Sequence, residues 1–408
     1  MIIFCSEFFL EGLSEIELPE ARRGFSNSSP VDSWPWIFKE YRNYGYATMY
    51  SEDDSSVAAF NFRLHGFSNP PTDHYSRPFW QAAGTNGYCI EAKPQVKLHL
   101  SYIDSFMRAY KNVPKFGLAF FSSISHGDMN TLKPAKGYFL EFFKSLREQG
   151  FLNNTILMVF ADHGLRYGDA RVTLQSKLEE RLPFLSITLP KGVREKFPDL
   201  DGILKENTRK LTSPFDMHET LHDILSYTKG RNDSGKTGTS LFRRIADSRG
   251  CSACGIPQHY CPCVQFKEVP VTHLHVQWAA EGLVERINEV LNSDRLSAEK
   301  CSNLKLGEIK SAHQNLNHPN VTKFRGSKDI HGRIPMFDDQ AKDYECNYNL
   351  LIRTVPGDAL FEATIQLLDG TFHVDREISR INKYGDQPKC VAQERPYMRK
   401  FCFCKNQS

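Results

Sequence analysis

The chain has 408 residues, with 51 Lys and Arg against 48 Asp and Glu, for a formal net charge of +3. So balanced a composition argues against a dedicated nucleic-acid surface or a polybasic membrane patch, and no run of about 18 apolar residues is present to span a bilayer. The length exceeds one minimal domain and is enough to bury a substantial core.

The first residues, Met1-Ile-Ile-Phe-Cys-Ser-Glu7, lack a positive flank and a long apolar stretch, so no signal peptide is expected there. Residues 47–50 read as a strand. The Glu52-Asp53-Asp54 run after it reads as a solvated acidic turn, with a supporting place beside a metal as the alternative. Residues 116–122, Phe-Gly-Leu-Ala-Phe-Phe-Ser, read as a buried strand leading into Ser125-His126-Gly127-Asp128. Residues 136–148 carry Phe139, Phe142, Phe143 and Leu146 on one helical stripe. The apolar run 155–161 predicts another buried strand, and it delivers Asp162-His163-Gly164 to its carboxyl end, where open α/β sheets place their sites. A short strand is expected over 183–188. A helix is expected from Pro214 to about Ser226, with Ser213 as its N-cap.

Strands alternating with helices imply the α/β class: a largely parallel sheet with helices on both faces over residues 1–245. Past the polar stretch 229–238 lies a smaller Cys-rich α+β region, residues 246–408. It has one clear helix over 275–292, striped by Val276, Ala280, Leu283, Ile287 and Leu291, and alternating β-branched character over 350–374. Of 11 cysteines, nine follow residue 250, from Cys251, Cys254, Cys261 and Cys263 to Cys402 and Cys404. The Cys251-x2-Cys254 spacing suits a zinc ribbon, but Cys261-x-Cys263 is tighter than a second knuckle. Disulfides in an oxidising compartment fit better, and an odd count leaves at least one thiol free or paired to another chain. Sequons at Asn27, Asn153, Asn232, Asn320 and Asn406 permit glycosylation.

Asp162 and His163 are adjacent hard and borderline ligands for a divalent cation, zinc first, with calcium or manganese as alternatives. His126 with Asp128 can hold one cation from a loop, and His218 is a further candidate near the start of its helix. The bland alternatives are a capping Asp beside a surface His, a polar turn, and a helix His bonded to a carbonyl. Arg166 and Arg171 suit forked binding of an anionic ester, or pairing with Asp169, Glu179 or Glu180. His218-Glu219-Thr220-Leu221-His222 matches a zinc-protease string, but no third ligand follows closely and the α/β pattern is wrong for that fold.

Several blocks together carry a resemblance: Glu17-Leu-Pro-Glu20, Gly66-Phe67, Pro71-Thr-Asp73, Arg77-Pro-Phe-Trp80, Asp162-His163-Gly164, Phe215-Asp-Met-His-Glu-Thr-Leu221, the Cys251 to Cys263 stretch, Arg353-Thr-Val-Pro-Gly357, Ile378-Ser-Arg-Ile-Asn382 and Phe401-Cys-Phe-Cys404. From about Gly12 onward the chain resembles the animal sulfatase-like proteins called domain of unknown function 229, within the alkaline phosphatase superfamily. The resemblance implies hydrolysis of a sulfuric or phosphoric ester by in-line displacement, at two metals about 4 Å apart. Asp162 and His163 match one ligand set in part, and Asp128, His126 and His218 resemble the other. Lumenal or extracellular residence is implied as well. Relatives carry a first-strand Asp and a Thr, Ser or Cys nucleophile upstream, and residues 1–11 contain neither in its expected setting. The chain is therefore expected to be a truncated, impaired hydrolase homologue with no catalytic nucleophile. The alternative is a non-catalytic secreted interaction or structural protein that keeps the fold.

Overall fold

The structure is a computed structural model that describes residues 10, 12–13, 17–84, 88–124, 126, 132–167, 169–226, 238–263, 265–316, 323–327, 335–338, 346–368 and 370–405. It divides into two compact units, Met1–Leu165 with Leu182–Gly255, and Arg166–Arg181 with Ile256–Ser408.

The first unit is α/β. Strand β1 (Ala47–Glu52) lies between β2 (His74–Tyr75) and β3 (Lys115–Phe120), parallel to both, with Tyr50 opposite Leu118 and Glu52 opposite Phe120. All six β1 residues are buried, as expected of a parallel strand covered on both faces. The period of two sorts them. Ala47 and Met49 pack on Phe106 of helix α2 (Gln95–Ala109), and Tyr50 joins an aromatic cluster with Trp34, Trp36, Phe38, Tyr41 and Phe60. Helix α1 (Ile37–Asn43) supplies Phe38 and Tyr41. Trp36 meets Phe60 edge-on at 4.6 Å, and Tyr41 stacks on Phe116 at 4.2 Å. Helix α3 (Leu132–Glu148) packs Ala135, Tyr138, Phe139 and Phe142 against Val96 and Leu100 of α2.

Strand β4 (Leu157–Phe160) forms where the 155–161 run predicts one, and β5 (Leu185–Thr188) where 183–188 does. They pair with each other antiparallel, Met158 opposite Ile187. Apolar runs report that a strand exists, not its direction.

Helix α5 (Pro214–Ser226) occupies the expected span, but its cap is not the expected one. The Ser213 hydroxyl is buried without a hydrogen-bond partner. Asp216 acts instead, accepting the Ser213 N–H at 2.7 Å and the Thr239 N–H at 2.7 Å, with Arg249 clamped on both its oxygens. A carboxylate in the first turn also opposes the helix dipole.

The second unit is built on an antiparallel sheet in the order β10-β9-β8-β7-β6. These are Gln265–Glu268 (β6), Lys305–Leu316 (β7), Cys346–Val355 (β8), Ala359–Leu368 (β9) and Thr371–Arg380 (β10). Helix α6 (Leu274–Ser293) buries Val276, Ala279, Ala280, Leu283, Val284, Ile287 and Leu291 in one core with Phe361, Ala363 and Ile365 of β9. Glu362 and Thr364 alternate with those residues and are buried on the opposite face.

Cys301 bonds Cys402 and Cys390 bonds Cys404, while Cys251 and Cys261 are also disulfide-bonded, so the cysteines make cross-links as expected and not a zinc ribbon. Among the described residues no helix is long and apolar enough to cross a membrane.

Candidate functional site

Asp162-His163-Gly164 follows β4 immediately. Asp162 Oδ1 accepts the His163 backbone N–H at 2.9 Å, and His163 Nδ1 lies 2.5 Å from the Gly164 carbonyl oxygen. A carbonyl only accepts, which assigns a proton to Nδ1, so that in the neutral ring Nε2 carries the lone pair. That Nε2 faces Asp162 Oδ2 at 3.2 Å, with both side chains partly open to solvent. Two acceptors so close need a proton or a cation between them. Ligands about 2.0–2.1 Å from a tetrahedral zinc ion stand roughly 3.3 Å apart, so the pair fits one edge of such a site.

His126 and His218 have hydrogen bonds of their own. His126 is exposed, with its backbone N–H on the Ser122 carbonyl at 3.0 Å. Asp128 lies outside the described residues. His218 Nε2 is 2.8 Å from His222 Nε2, and His222 Nδ1 is 2.9 Å from Glu40 Oε2. That spacing is a hydrogen bond between imidazoles, short for two ligands of one zinc ion, so the protease-like string is a buried His pair. Gly12, at φ +69°, passes against the same ring, where a Cβ would meet it at 2.4 Å. Among the described residues, no group of three or more candidate ligand atoms within 4.8 Å of one another includes Asp162, His163, His126 or His218.

Arg166 and Arg171 belong to the second unit. Arg171 Nη2 donates to Glu180 at 2.6 Å and to Glu362 at 3.1 Å, and Arg166 Nε is 3.9 Å from Glu180. Pairing with Glu180 was one of the sequence alternatives; Glu362, 191 residues from Arg171, was not foreseen.

The sequence also missed a polar cluster at the carboxyl end of the parallel sheet. Glu52 and Asp53 are buried, not in a solvated turn, because β1 runs two residues further than expected. Glu52 accepts from Tyr50 Oη at 2.6 Å, Ser122 Oγ at 2.8 Å and the Ala59 N–H at 3.0 Å. Asp53 accepts the Ser123 N–H at 3.0 Å and its hydroxyl at 2.5 Å. Ser122 and Ser123 come from the end of β3, and α2 adds His99, whose Nε2 meets Ser51 Oγ at 2.7 Å. His99 Nδ1 is buried, 3.9 Å from Asp53 and without a hydrogen-bond partner. Burial lifts Glu52 to about 7 and Asp53 to about 6, against the pull of their hydroxyl donors, and drops His99 to about 3, so it is neutral. A carboxyl group titrating near 7 is suited to exchanging a proton at neutral pH.

That shift has a signed consequence. Below pH 4.5 the folded and unfolded chains both hold the Glu52 proton, and between pH 4.5 and 7 the unfolded chain loses it first. Stability from Glu52 is therefore full at low pH and falls by about 3 kcal/mol as pH rises past 7. The Glu52→Gln variant is expected to flatten this part of the curve. Urea midpoints for both proteins from pH 5 to 8 check it, and parallel curves would count against a buried carboxyl.

The family model described as protein of unknown function (DUF229) matches residues 9–310, well over half of the chain. The chain belongs to the DUF229 family. No curated protein and no solved structure matches it. The DUF229 match takes in the buried Glu52–Asp53 pair, Asp162–His163 and the Arg166–Arg181 segment, and it ends within β7.

Proposed function

We propose that the chain is a sulfatase-like, metal-dependent ester hydrolase homologue of the alkaline phosphatase superfamily, acting on sulfuric or phosphoric esters in the secretory lumen or outside the cell. The 3.2 Å approach of two acceptors, Asp162 Oδ2 and His163 Nε2, carries the proposal. These two residues would hold the cation, zinc first with calcium or manganese as alternatives, and His126 on the loop after β3 is the next candidate ligand. When bound, the cation would polarise the ester oxygens and offset their charge. The chain's own part is to fix the His163 ring through its Nδ1–H and to keep a protonatable carboxyl at Glu52. His218 is engaged with His222, and Arg166 and Arg171 with carboxylates, so none of them is used here. The disulfides support an oxidising compartment.

The second reading, a secreted structural module on the same fold, is supported by the disulfides Cys301–Cys402 and Cys390–Cys404, which cross-link the second unit. Thermal melting separates the two. Under the hydrolase reading, chelation lowers the melting temperature and zinc at a hundredfold excess over Kd restores roughly 5 °C, a response absent from Asp162→Ala. Identical curves for wild type with and without metal would select the structural module.

A further inference from the structure

The second unit buries more positive than negative charge. Helix α4 (Leu174–Arg181) and the turn before it bring Arg166, Arg171, Lys177 and Arg181 together, each with a side chain no more than 7% exposed. Among the residues whose side chains are described, two buried carboxylates answer them. Glu362 receives Arg171 at 3.1 Å, Lys177 at 3.1 Å and Arg181 at 2.9 Å, and Glu180 receives Arg171 at 2.6 Å with Arg166 at 3.9 Å. Half-buried Glu377 is turned to Tyr260 Oη. Four cations against two anions leave a surplus of two.

The donors are left over as well. Arg166 Nε and Nη1, Arg171 Nη1 and Arg181 Nε are buried with no hydrogen-bond partner. Buried guanidinium donors without acceptors are costly, each by about 1–3 kcal/mol or more, so such a set points to an absent acceptor. Burial, with the nearby Arg181, holds His259 at about 3, and burial brings Lys177 down to about 8. Arg171 and Lys177 line a small cleft together with Thr173, Ser311, His313, Asn349 and the Glu362 carboxylate. Two cations against one carboxylate, with hydroxyls and a side-chain amide around the same opening, suit an oxygen anion.

We propose that this cleft binds a small tetrahedral oxyanion of the phosphate or sulfate class. Of the four cations, Arg171 and Lys177 line the cleft, beside Glu362. The oxygens of an anion there can take up Arg171 Nη1 while sharing Lys177 with Glu362, and a dianion offsets the surplus of the whole cluster. The site stands apart from the proposed ester chemistry, since it uses neither Asp162 nor His163.

Calorimetric titration of the full chain with inorganic phosphate, and separately with inorganic sulfate, at constant ionic strength tests it. Saturable one-to-one binding of either anion is expected, unchanged in Asp162→Ala. Loss of one charge-assisted bond in Lys177→Met should weaken it by about tenfold or more. Glu362→Gln raises the surplus to three, so its melting temperature should gain more from the anion than that of wild type. That comparison stands even if Lys177→Met fails to fold. No saturable binding by wild type, equal affinity in Lys177→Met, or an equal gain in Glu362→Gln overturns the proposal.

Discussion

Glu362→Ala is expected to destabilise the second unit by about 3–5 kcal/mol. Among the described residues Glu362 is the only carboxylate that Arg171, Lys177 and Arg181 are all within 3.1 Å of, and its side chain is 5% exposed. Removing it strands Lys177 and Arg181 and leaves Arg171 with Glu180 alone, in a space that water reaches poorly, and the cost comes from that stranding more than from the bonds lost. Burial pushes the Glu362 carboxyl up, but Lys177, Arg181 and Arg171 together hold it well below the usual carboxylate range. Its contribution is therefore present above the ordinary carboxylate pKa and lost only as pH falls through the depressed value. Hydrogen exchange in β9 at pH 7 reads the effect directly, because the strand carries Glu362. A loss below about 1 kcal/mol would mean that solvent or another group already compensates these cations.

The second large effect concerns the cross-links. Cys301–Cys402 spans 101 residues of chain and Cys390–Cys404 spans 14. By loop-closure entropy the first stabilises by about 4.7 kcal/mol and the second by about 3 kcal/mol. Both must be removed as cysteine pairs, because Cys390 Sγ lies 3.7 Å from Cys402 Sγ and a single thiol would exchange with its neighbour. Urea unfolding of the Cys301→Ala/Cys402→Ala and Cys390→Ala/Cys404→Ala proteins should place the first well below the second. The reverse order would show that the long loop is already closed in the unfolded chain.

Local signals were legible wherever one element decides the outcome. The apolar runs gave β4 and β5, Pro214 marked the start of α5, and the Val276 to Leu291 stripe gave α6 nearly to the residue. What depended on distant partners was hidden. Three acidic residues in a row read as solvated, yet Glu52 and Asp53 are buried because Ser122 and Ser123, 70 residues away, bring donors to them. Pairing of Arg166 and Arg171 with Glu180 stood among the alternatives, but nothing in Arg166-Tyr-Gly-Asp-Ala-Arg171 points to Glu362, a sheet residue far along the chain. Ser213 looked like a cap by residue type, but Asp216 does the work because Arg249 fixes it. The Asp162-His163 contact was legible from adjacency alone. That no described group of three ligand atoms forms around the pair was not, since a sequence gives ligand types and no distances.

The most direct measurement is the divalent-metal content of the full chain, by elemental analysis after purification from a secretory host, beside Asp162→Ala. The account predicts bound zinc, or calcium or manganese in its place, in the wild type, with that ion lost from the variant. A wild type that carries no metal, or a variant that carries as much as the wild type, contradicts it.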